Sequence, residues 1–449
     1  MDTPSMFKMK NARTAALAAL EKCRRAGAWS DAVLGSVMDD AGLEGRDRGL
    51  ASALCYGVIQ NQYYLDYCIG AYCSVKTTKL EPKVLDILRL SACQLLFMDK
   101  IPASAAVNEG VALAKQSGYA RASGLVNAVL RRISENREHL PEIKADSKTE
   151  VLSVRYSCPV KLTEYYCSRL GPDEAEKLLK IQNSTPPVTA QVNTLRTTAD
   201  ELLAAFGKGG LKAEPHPRLP DCILLEDAGS VAAMSEFQNG LFYVQDAAAK
   251  LAAIAAEPFE GAKILDVCAA PGGKSIACAI LSHDGAEITA CDLHANKLKR
   301  IHDSAGRLGL RSIKTECADG RVFNSAWERS FDIVIADVPC SGLGVIRKKP
   351  DIRYKDMSEF EALPPIQRDI LNNASRYVKS GGTLIYSTCT VRSEENEQVA
   401  DDFLSRHGDF VFADFTLPGE WKSENGKLQL WPQRDDTDGF FIAKFRRSE

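Results

Sequence analysis

The first 140 residues or so carry apolar side chains at the spacing of amphipathic α-helices. Apolar positions recur every three or four residues, and the two-residue alternation typical of strands is absent. Pro82 and Pro102 lie just before or within the first turn of two of these stretches, where proline is tolerated. We therefore predict a compact all-helical bundle. Its helices are expected at Ala12–Arg24, Ser30–Ala41, Arg46–Ile59, Val84–Phe97, Ala103–Gln116 and Ala122–Ile133.

Residues 141–238 have a mixed pattern. Helical stretches are followed by Pro186 and Pro187, and Val188–Val192 then alternates like a strand. The pattern predicts a small mixed α/β linker domain. Its remaining elements are expected as helices at Val151–Leu170, Asp173–Gln182 and Ala199–Phe206 and a strand at Ile223–Leu225.

In residues 239–449, short apolar runs alternate with helical stretches. This alternation is typical of a parallel, doubly wound sheet, so we predict an α/β Rossmann-like domain. Strands are expected at Lys263–Cys268, Glu287–Asp292, Ser312–Glu316, Phe331–Asp337, Gly382–Ser387 and Phe440–Phe445, and helices at Lys274–Leu281 and Asn296–Leu308. The chain is thus expected to form three domains, 1–140, 141–238 and 239–449.

The composition excludes some classes of protein and leaves RNA binding open. The 449-residue chain has 56 basic and 59 acidic residues, a net charge of −3, and 45% hydrophobic residues. These values exclude a disordered chain, a collagen and a strongly basic tail. They do not exclude RNA, because RNA binding depends on local patches of charge. No apolar stretch approaches the ~20 residues of a membrane span, and a signal peptide is not evident.

The cysteines raise the question of compartment and of metal binding. The chain has 14 cysteines and 6 histidines, and no two cysteines have C-x-x-C spacing. We expect a cytoplasmic protein with reduced thiols and without a structural zinc site. Most of the cysteines should be small buried hydrophobic residues.

The first candidate site lies where a predicted strand is followed by a Gly-rich turn and a helix. Its sequence is Asp-Val-Cys-Ala-Ala-Pro-Gly-Gly-Lys-Ser, residues 266–275. Small residues let a ligand approach the backbone, and the helix N-terminus offers N–H groups to a phosphate or a carboxylate. A P-loop would need glycine at Cys268, and the dinucleotide pattern G-x-G-x-x-G is also missing.

A carboxylate on the next strand narrows the choice of ligand. Asp292 lies 20 residues after Gly272 and suits the diol of a ribose. Asp266, Asp292 and Asp319 all lie near strand ends on one edge of the predicted sheet. These positions favour S-adenosylmethionine, an adenosyl ligand without phosphates, over a tight turn with an N-capping acid.

Two further strands each deliver a cysteine to the same edge. One strand leads to Asp337 and then to Cys340 in a turn rich in Pro and Gly, and the other ends just before Cys389. A single cysteine in a loop is more often structural, but two such cysteines beside a ligand loop favour a catalytic role. After Cys389, we expect Ser393 to cap a helix that begins at Glu394.

These motifs together resemble those of the RNA cytosine-C5 methyltransferase family. The similar segments are Ala-Ala-Pro-Gly-Gly-Lys (269–274), Asp-Val-Pro-Cys-Ser-Gly-Leu-Gly (337–344) and Ser-Thr-Cys-Thr (387–390) with Glu-Glu-Asn (394–396). Val338, Thr390 and Lys297 depart conservatively from the commoner Ala, Ser and Arg. The front of the chain resembles a NusB-type RNA-binding domain, through segments such as Ile-Pro-Ala-Ser-Ala-Ala-Val-Asn-Glu (101–109). A NusB-type domain joined to this catalytic domain is typical of bacterial Fmu/Sun-type 16S rRNA methyltransferases.

The resemblance implies a class I methyltransferase domain that uses S-adenosylmethionine to methylate C5 of a cytosine in 16S rRNA, with tRNA as the alternative substrate. It assigns Cys389 as the nucleophile that adds to C6 of the base, Cys340 to release of the adduct and Asp337 to contact with the base. The implied cofactor-binding residues are Cys268, Ala269, Ala270, Pro271, Gly272, Gly273, Lys274, Asp292, Asp319 and Asp337. No metal is implied, and we expect a monomer without a membrane partner.

Basic clusters offer candidate contacts to the RNA backbone. Arg347, Lys348 and Lys349 follow the Cys340 turn and could clamp a phosphate, raise the thiolate fraction, or form only a solvated loop. Arg131 and Arg132 in the front bundle could hold RNA by shape and charge, or form only a charged helix end at the surface. A dehydrogenase and a non-catalytic RNA-binding protein are the competing hypotheses. The missing phosphate-binding glycines disfavour a dehydrogenase. The two strands that each lead to a cysteine disfavour a non-catalytic RNA-binding protein.

Overall fold

The computed structural model describes residues 11–26 and 30–449. Contacts divide the chain into two compact units. Unit 1 contains the chain up to Ser184 together with Lys348–Lys355, and unit 2 contains Thr185–Arg347 and Asp356–Glu449. The three-domain division at residues 140/141 and 238/239 stays a prediction. Within the described ranges, no helix combines the length and the apolar character needed to cross a membrane.

Unit 1 consists of helices, and those up to residue 135 pack around one apolar core. Its described helices are α1 (Ala12–Ala26), α2 (Ser30–Asp40), α3 (Gly45–Gln60), α4 (Gln62–Tyr72), α5 (Pro82–Phe97), α6 (Ala103–Gln116), α7 (Ser123–Glu135), α8 (Lys148–Arg155), α9 (Val160–Leu170) and α10 (Pro172–Gln182). The six helices predicted for the front of the chain are present. Helix α4 was not predicted, although it buries Leu65, Cys68 and Ile69 at helical spacing.

The single helix predicted over Val151–Leu170 is wrong, because α8 and α9 are separate helices. Ser157, between them, has a left-handed backbone with φ 52°. Pro159 follows and lacks the N–H group that a continuous helix would need. Proline also disfavours the helical conformation of the residue before it, so the chain leaves the helix here and starts a new one at Val160.

The segment Lys348–Lys355 completes unit 1 although it is distant in sequence. It forms a short 3-10 turn in which the Arg353 residue is only 2% exposed. The Arg353 guanidinium donates to Asn183 Oδ1 at 2.7 Å and to the carbonyl of Tyr156 at 2.9 Å. It also donates to the carbonyl of Gln182 at 3.3 Å. The buried charge is therefore stabilised by several oxygen acceptors of the unit.

Unit 2 begins with a small antiparallel sheet. Its elements are β1 (Val188–Val192), α11 (Ala199–Lys208), β2 (Ala213–Pro215), β3 (Cys222–Leu225), α12 (Ser235–Gln238) and β4 (Phe242–Val244). The strand order is β2-β3-β1-β4. Helix α11 begins with a capping box, in which Thr198 Oγ1 accepts from the Glu201 N–H and Glu201 Oε2 accepts from the Thr198 N–H. The mixed α/β pattern of this region is confirmed.

The rest of unit 2 forms an eight-stranded sheet with helices on its faces. Its elements are α13 (Ala247–Ala255), β5 (Lys263–Asp266), α14 (Gly273–Leu281), β6 (Glu287–Asp292), α15 (Ala295–Leu308), β7 (Ile313–Cys317), β8 (Phe331–Asp337), α16 (Leu363–Ser375), β9 (Val378–Thr388), α17 (Glu397–Arg406), β10 (Phe410–Phe412), β11 (Lys427–Leu430), α18 (Pro432–Asp435) and β12 (Phe440–Arg447). The strand order is β10-β12-β9-β8-β5-β6-β7, and β11 also pairs with β12.

Five of these strands are parallel, and the central ones β8 and β9 bury residues on both faces. β9, β8, β5, β6 and β7 run parallel, which confirms the doubly wound arrangement for this part of the sheet. Ile335 and Ile385 contribute to one core, and the adjacent residues Val334 and Leu384 contribute to the other. The predicted last strand lies in β12, which pairs antiparallel with β9, so the whole sheet is mixed.

Candidate functional site

The carboxyl ends of the parallel strands bring the predicted site residues to one edge of the sheet. β5 ends at Asp266, β6 at Asp292 and β8 at Asp337, while β9 ends at Thr388, immediately before Cys389. Parallel strands share their direction, so these ends meet at the same edge, where ligands of such sheets bind. The sequence predicted this placement because each site residue follows an apolar run.

The loop between β5 and α14 needs its two glycines for space. Gly272 has φ 103° and directly precedes α14, and a Cβ there would lie 3.0 Å from Ile301 Cγ1. A Cβ on Gly273 would lie 2.8 Å from Gln245 Nε2. The two glycines therefore let Ile301 and Gln245 pack closely against the loop, which ends at the first turn of α14, where N–H groups have no helical acceptor.

Asp266 lies beneath this loop and is fully buried. Ser275 Oγ donates to its Oδ2 at 2.7 Å, and its Oδ1 has no hydrogen-bond partner. Burial raises the pKa of Asp266 to about 7. Asp266 thus supports the loop from inside by its contact with α14.

The two other acidic residues on this side differ in their partners. The Asp292 carboxylate accepts from the His294 N–H at 2.9 Å, and Lys297 Nζ lies 3.8 Å from it. Asp319 is held by Arg321, whose Nε and Nη2 donate to its two oxygens at 3.0 and 2.7 Å. Hydrogen bonds from Arg321 lower the pKa of Asp319. Arg321, two residues after Asp319, was not singled out from the sequence.

Lys274 and Asp337 form an ion pair that joins the ligand loop to β8. Lys274 Nζ lies 2.6 Å from Asp337 Oδ2, and Ser387 Oγ donates to Asp337 Oδ1 at 2.7 Å. Burial lowers the pKa of Lys274, but the charge and hydrogen bond of Asp337 outweigh it, so the pKa is raised overall. Lys274 therefore stays a cation at the centre of the site.

Cys340 and Cys389 are brought into contact, with their Sγ atoms 3.3 Å apart. The hydrogen bond to Cys389 raises the pKa of Cys340 well above its usual range, and burial and the charge of Glu395 act in the same direction. Cys340 therefore keeps its proton. All 14 cysteines are free thiols. Seven of them are buried, six are half-buried and Cys317 is exposed, so the expectation that most are buried is not met.

The helix predicted to begin at Glu394 with Ser393 as its cap is wrong. Helix α17 begins at Glu397, its N-cap is Asn396, and no side chain caps it. The preceding residues form a turn instead. The physical reason is that Glu395 and Asn396 point inward to buried partners near the two cysteines.

The basic cluster after Cys340 is divided between the two units. Arg347 belongs to unit 2, where its Nη2 donates to the Thr185 carbonyl at 3.0 Å. Burial lowers the pKa of Arg347, and the carboxylates of Asp436, Asp438 and Asp246 act against this effect. Lys348 and Lys349 belong to unit 1. A phosphate clamp at this cluster stays a prediction, as does RNA contact by the exposed Arg131 and Arg132 of α7.

Among the described residues, no group of three or more His, Cys, Asp and Glu side chains is arranged to hold a metal ion. The site therefore consists of a glycine loop, carboxylates at strand ends, a buried lysine and two thiols. This set can bind a cation-bearing nucleoside and form a thioether to an electrophilic carbon.

Three family models match successive parts of the chain. The model described as 16S rRNA methyltransferase RsmB/F matches residues 253–446. The NusB family model matches residues 10–135, and the RsmF/B-like ferredoxin-like domain matches residues 163–232.

Relatives of similar length match nearly the whole chain. The chain is 37% identical over 449 residues to the probable ribosomal RNA small subunit methyltransferase B of Bacillus subtilis (strain 168), covering 98% of this chain and 100% of the relative. It is 33% identical over 442 residues to ribosomal RNA small subunit methyltransferase B of Shigella sonnei (strain Ss046), covering 98% and 99%. The crystal structure titled PH0851 matches with a TM-score of 0.81 at 26% identity, covering 100% of both chains.

Proposed function

Because the chain belongs to the RsmB/F family of 16S rRNA methyltransferases, we propose that it methylates C5 of a cytosine in 16S rRNA through a covalent Cys389–C6 adduct. The observation that carries the proposal is the contact between Cys340 and Cys389, 3.3 Å apart, at the strand edge that also holds the Lys274–Asp337 pair. The three domains 1–140, 141–238 and 239–449 are part of the same proposal.

The proposed methyl donor is S-adenosylmethionine, which supplies an electrophilic methyl group on its sulfonium. Residues of the 268–274 loop would hold its amino-acid end, since the loop leads into the N-terminus of α14, whose first N–H groups have no helical acceptor. Asp292 and Asp319 would accept hydrogen bonds from its ribose and base. No phosphate-binding pattern competes with this assignment.

Formation of the adduct makes C5 of the cytosine nucleophilic. The Cys389 thiolate would form a bond to C6, and the electron pair of the 5,6 double bond would become available at C5 to attack the methyl group of the donor. The bond from methyl to sulfonium would break, and its electron pair would stay on the departing thioether sulfur. Asp337 would hydrogen-bond the N3 and amino side of the base while Lys274 balances its charge. The target base must be turned out of its stack to reach this buried edge.

Release of the product reverses the first bond. C5 loses its proton to water, the 5,6 double bond forms again, and the C6–S bond breaks with its electron pair on the sulfur of Cys389. Cys340, which keeps its proton because its pKa is raised, can donate a hydrogen bond to that departing sulfur. This donation would favour the leaving group.

The cysteine variants test the proposal. Cys389→Ala should abolish methyl transfer from labelled S-adenosylmethionine to 16S rRNA. Cys340→Ala should accumulate a protein–RNA adduct that survives a denaturing gel. Full activity of Cys389→Ala would refute the mechanism. Bisulfite sequencing of total RNA from cells with and without the protein tests the substrate, because a mark lost from tRNA and not from 16S rRNA would overturn the rRNA assignment.

A further inference from the structure

Two consecutive side chains, Glu395 and Asn396, are fully buried in the turn that precedes α17. A carboxylate and an amide are costly to bury unless their polar atoms find partners. Each side chain bonds to a neighbour of one of the two cysteines. The further partners are Gln367 of α16, Gln429 of β11 and, for Glu395 Oε1, Arg392 Nη1 at 3.5 Å.

Asn396 bonds to the residues on both sides of Cys389, to the side chain of Thr388 and to the backbone of Thr390. Thr388 Oγ1 donates to Asn396 Oδ1 at 2.6 Å, and Asn396 Nδ2 donates to the Thr390 carbonyl at 3.0 Å. The same Nδ2 also donates to Gln429 Oε1 at 2.7 Å. The amide therefore uses both its acceptor and its donor on the two immediate neighbours of the nucleophile.

Glu395 performs the corresponding task for Cys340. Its Oε2 accepts from the backbone N–H of Ser341 at 2.8 Å and from Gln367 Nε2 at 2.9 Å. Gln367 Nε2 in turn donates to the Pro339 carbonyl at 3.0 Å. Through these bonds, both neighbours of Cys340 are tied to one buried carboxylate.

The two loops are also tied to each other. The hydroxyls of Ser341 and Thr390 lie 2.7 Å apart, and the Gly344 N–H donates to the Cys389 carbonyl at 3.0 Å. The distance between the two sulfur atoms is thus set by a closed network of hydrogen bonds around both cysteines.

We propose that Glu395 and Asn396 are positioning residues with separate tasks. Asn396 aligns Cys389 for attack on C6, and Glu395 with Gln367 aligns Cys340 for release of the adduct. This inference rests on the proposed function, because it assigns each residue to one step of that reaction. A displacement of about 1 Å in a reacting group can cost up to ~100-fold in rate, so loss of either set of bonds affects its own step.

Conservative variants separate the two tasks. Asn396→Asp keeps the acceptor for the Thr388 hydroxyl but replaces the donating Nδ2 by an oxygen. That oxygen would face the Thr390 carbonyl and Gln429 Oε1, which are themselves acceptors. We expect adduct formation to become about tenfold slower, equivalent to ~1.4 kcal/mol, without accumulation of adduct. Glu395→Asp keeps the charge but withdraws the carboxylate from the Ser341 N–H. We expect adduct formation near the wild-type rate and a several-fold larger fraction of trapped adduct.

The Glu395→Gln variant tests whether the acceptor or the charge is required. Its amide oxygen reaches the Ser341 N–H and Gln367 as the carboxylate does. Positioning therefore predicts that Glu395→Gln releases product faster than Glu395→Asp. Trapped adduct in Glu395→Gln equal to that in Glu395→Asp would contradict positioning by this hydrogen bond.

Time courses of adduct and of methylated 16S rRNA are measured with the full-length protein and labelled S-adenosylmethionine. Asn193→Asp is the matched control, because Asn193 is also fully buried and its Nδ2 donates to the carbonyls of Gly240 and Leu308. It should lower the melting temperature without changing the balance between adduct and product. If Asn396→Asp and Glu395→Asp resemble this control, the inference is wrong. If Cys389→Ala still forms adduct, the proposed function itself is wrong.

Discussion

Gly344 lies where two backbone segments approach too closely for any side chain. Its N–H donates to the Cys389 carbonyl at 3.0 Å, and its carbonyl accepts from the Gly439 N–H at 2.9 Å. A Cβ on residue 344 would lie 2.8 Å from the Cys389 carbonyl oxygen and would overlap the carbonyl oxygen of Gly439. Both obstacles are backbone atoms, so neither can rotate away. We predict that Gly344→Ala forces these segments apart.

The cost of this substitution can be built from its parts. An extra methyl group in a packed site costs roughly 1–3 kcal/mol, and each of the two backbone hydrogen bonds contributes about 1 kcal/mol. The sum of roughly 3–5 kcal/mol is large compared with the stability of a typical domain. Thermal unfolding of the purified protein should therefore shift down by about 5–10 °C. Methyl transfer to 16S rRNA should fall by up to ~100-fold, because the Cys389 backbone is displaced.

Gly306→Ala provides the control for Gly344→Ala. Gly306 lies inside α15, and a Cβ there would meet no atom within 4 Å. Alanine has the higher helix propensity by about 1 kcal/mol, so this variant should melt at the same or a higher temperature and keep its activity. Wild-type melting and wild-type activity in Gly344→Ala would refute the argument from close approach.

Three further outcomes are expected from substitutions elsewhere. The pKa of Asp266 is raised to about 7 from an ordinary 3.8, so the folded protein should lose stability as the pH rises from about 4 to 7 and the buried carboxyl loses its proton. Asp266→Asn keeps an acceptor for Ser275 but does not titrate. This variant should therefore show a smaller fall in melting temperature between pH 5 and 8. An equally steep fall in this variant would contradict the assignment. Arg321→Gln should weaken S-adenosylmethionine binding by up to about fivefold in calorimetry, because Asp319 loses the guanidinium that bonds both of its oxygens. Unchanged affinity would exclude Asp319 from the binding site. Arg353→Met should lower stability to urea by roughly 2–4 kcal/mol, because buried acceptors of unit 1 lose their donor, whereas an unchanged urea midpoint would show that these bonds contribute little.

The site residues could be predicted from the sequence because most of them lie at the ends of apolar runs that read as buried strands. Asp292, Asp337 and Cys389 each end or follow an apolar run, and the direction of parallel strands places such residues at one edge. The contact between the sulfur atoms of Cys340 and Cys389 could only be suspected, since it depends on how the two loops turn after their strands.

Other features depend on contacts that periodicity does not record. The acidic residues from Glu394 onward suggested the first turn of a helix, but acidic side chains in a turn can also point inward. Glu395 and Asn396 point inward because residues next to the two cysteines offer them buried hydrogen-bond partners. The break before Val160 was signalled by Pro159, but the apolar period continued across it. The antiparallel direction of β12 is set by its pairing with β9, which is a long-range contact.

The segment Lys348–Lys355 has a consequence for how the chain can be divided. Because unit 1 includes these residues, the polypeptide enters that unit twice, and a single cut after Ser184 leaves this segment of unit 1 on the same fragment as unit 2. A fragment that ends at Ser184 also lacks Arg353, so the acceptors at Tyr156, Gln182 and Asn183 lose their buried donor. Unit 1 therefore cannot be exchanged between relatives at a single junction after Ser184. A functional chimaera must also carry the distant eight-residue segment.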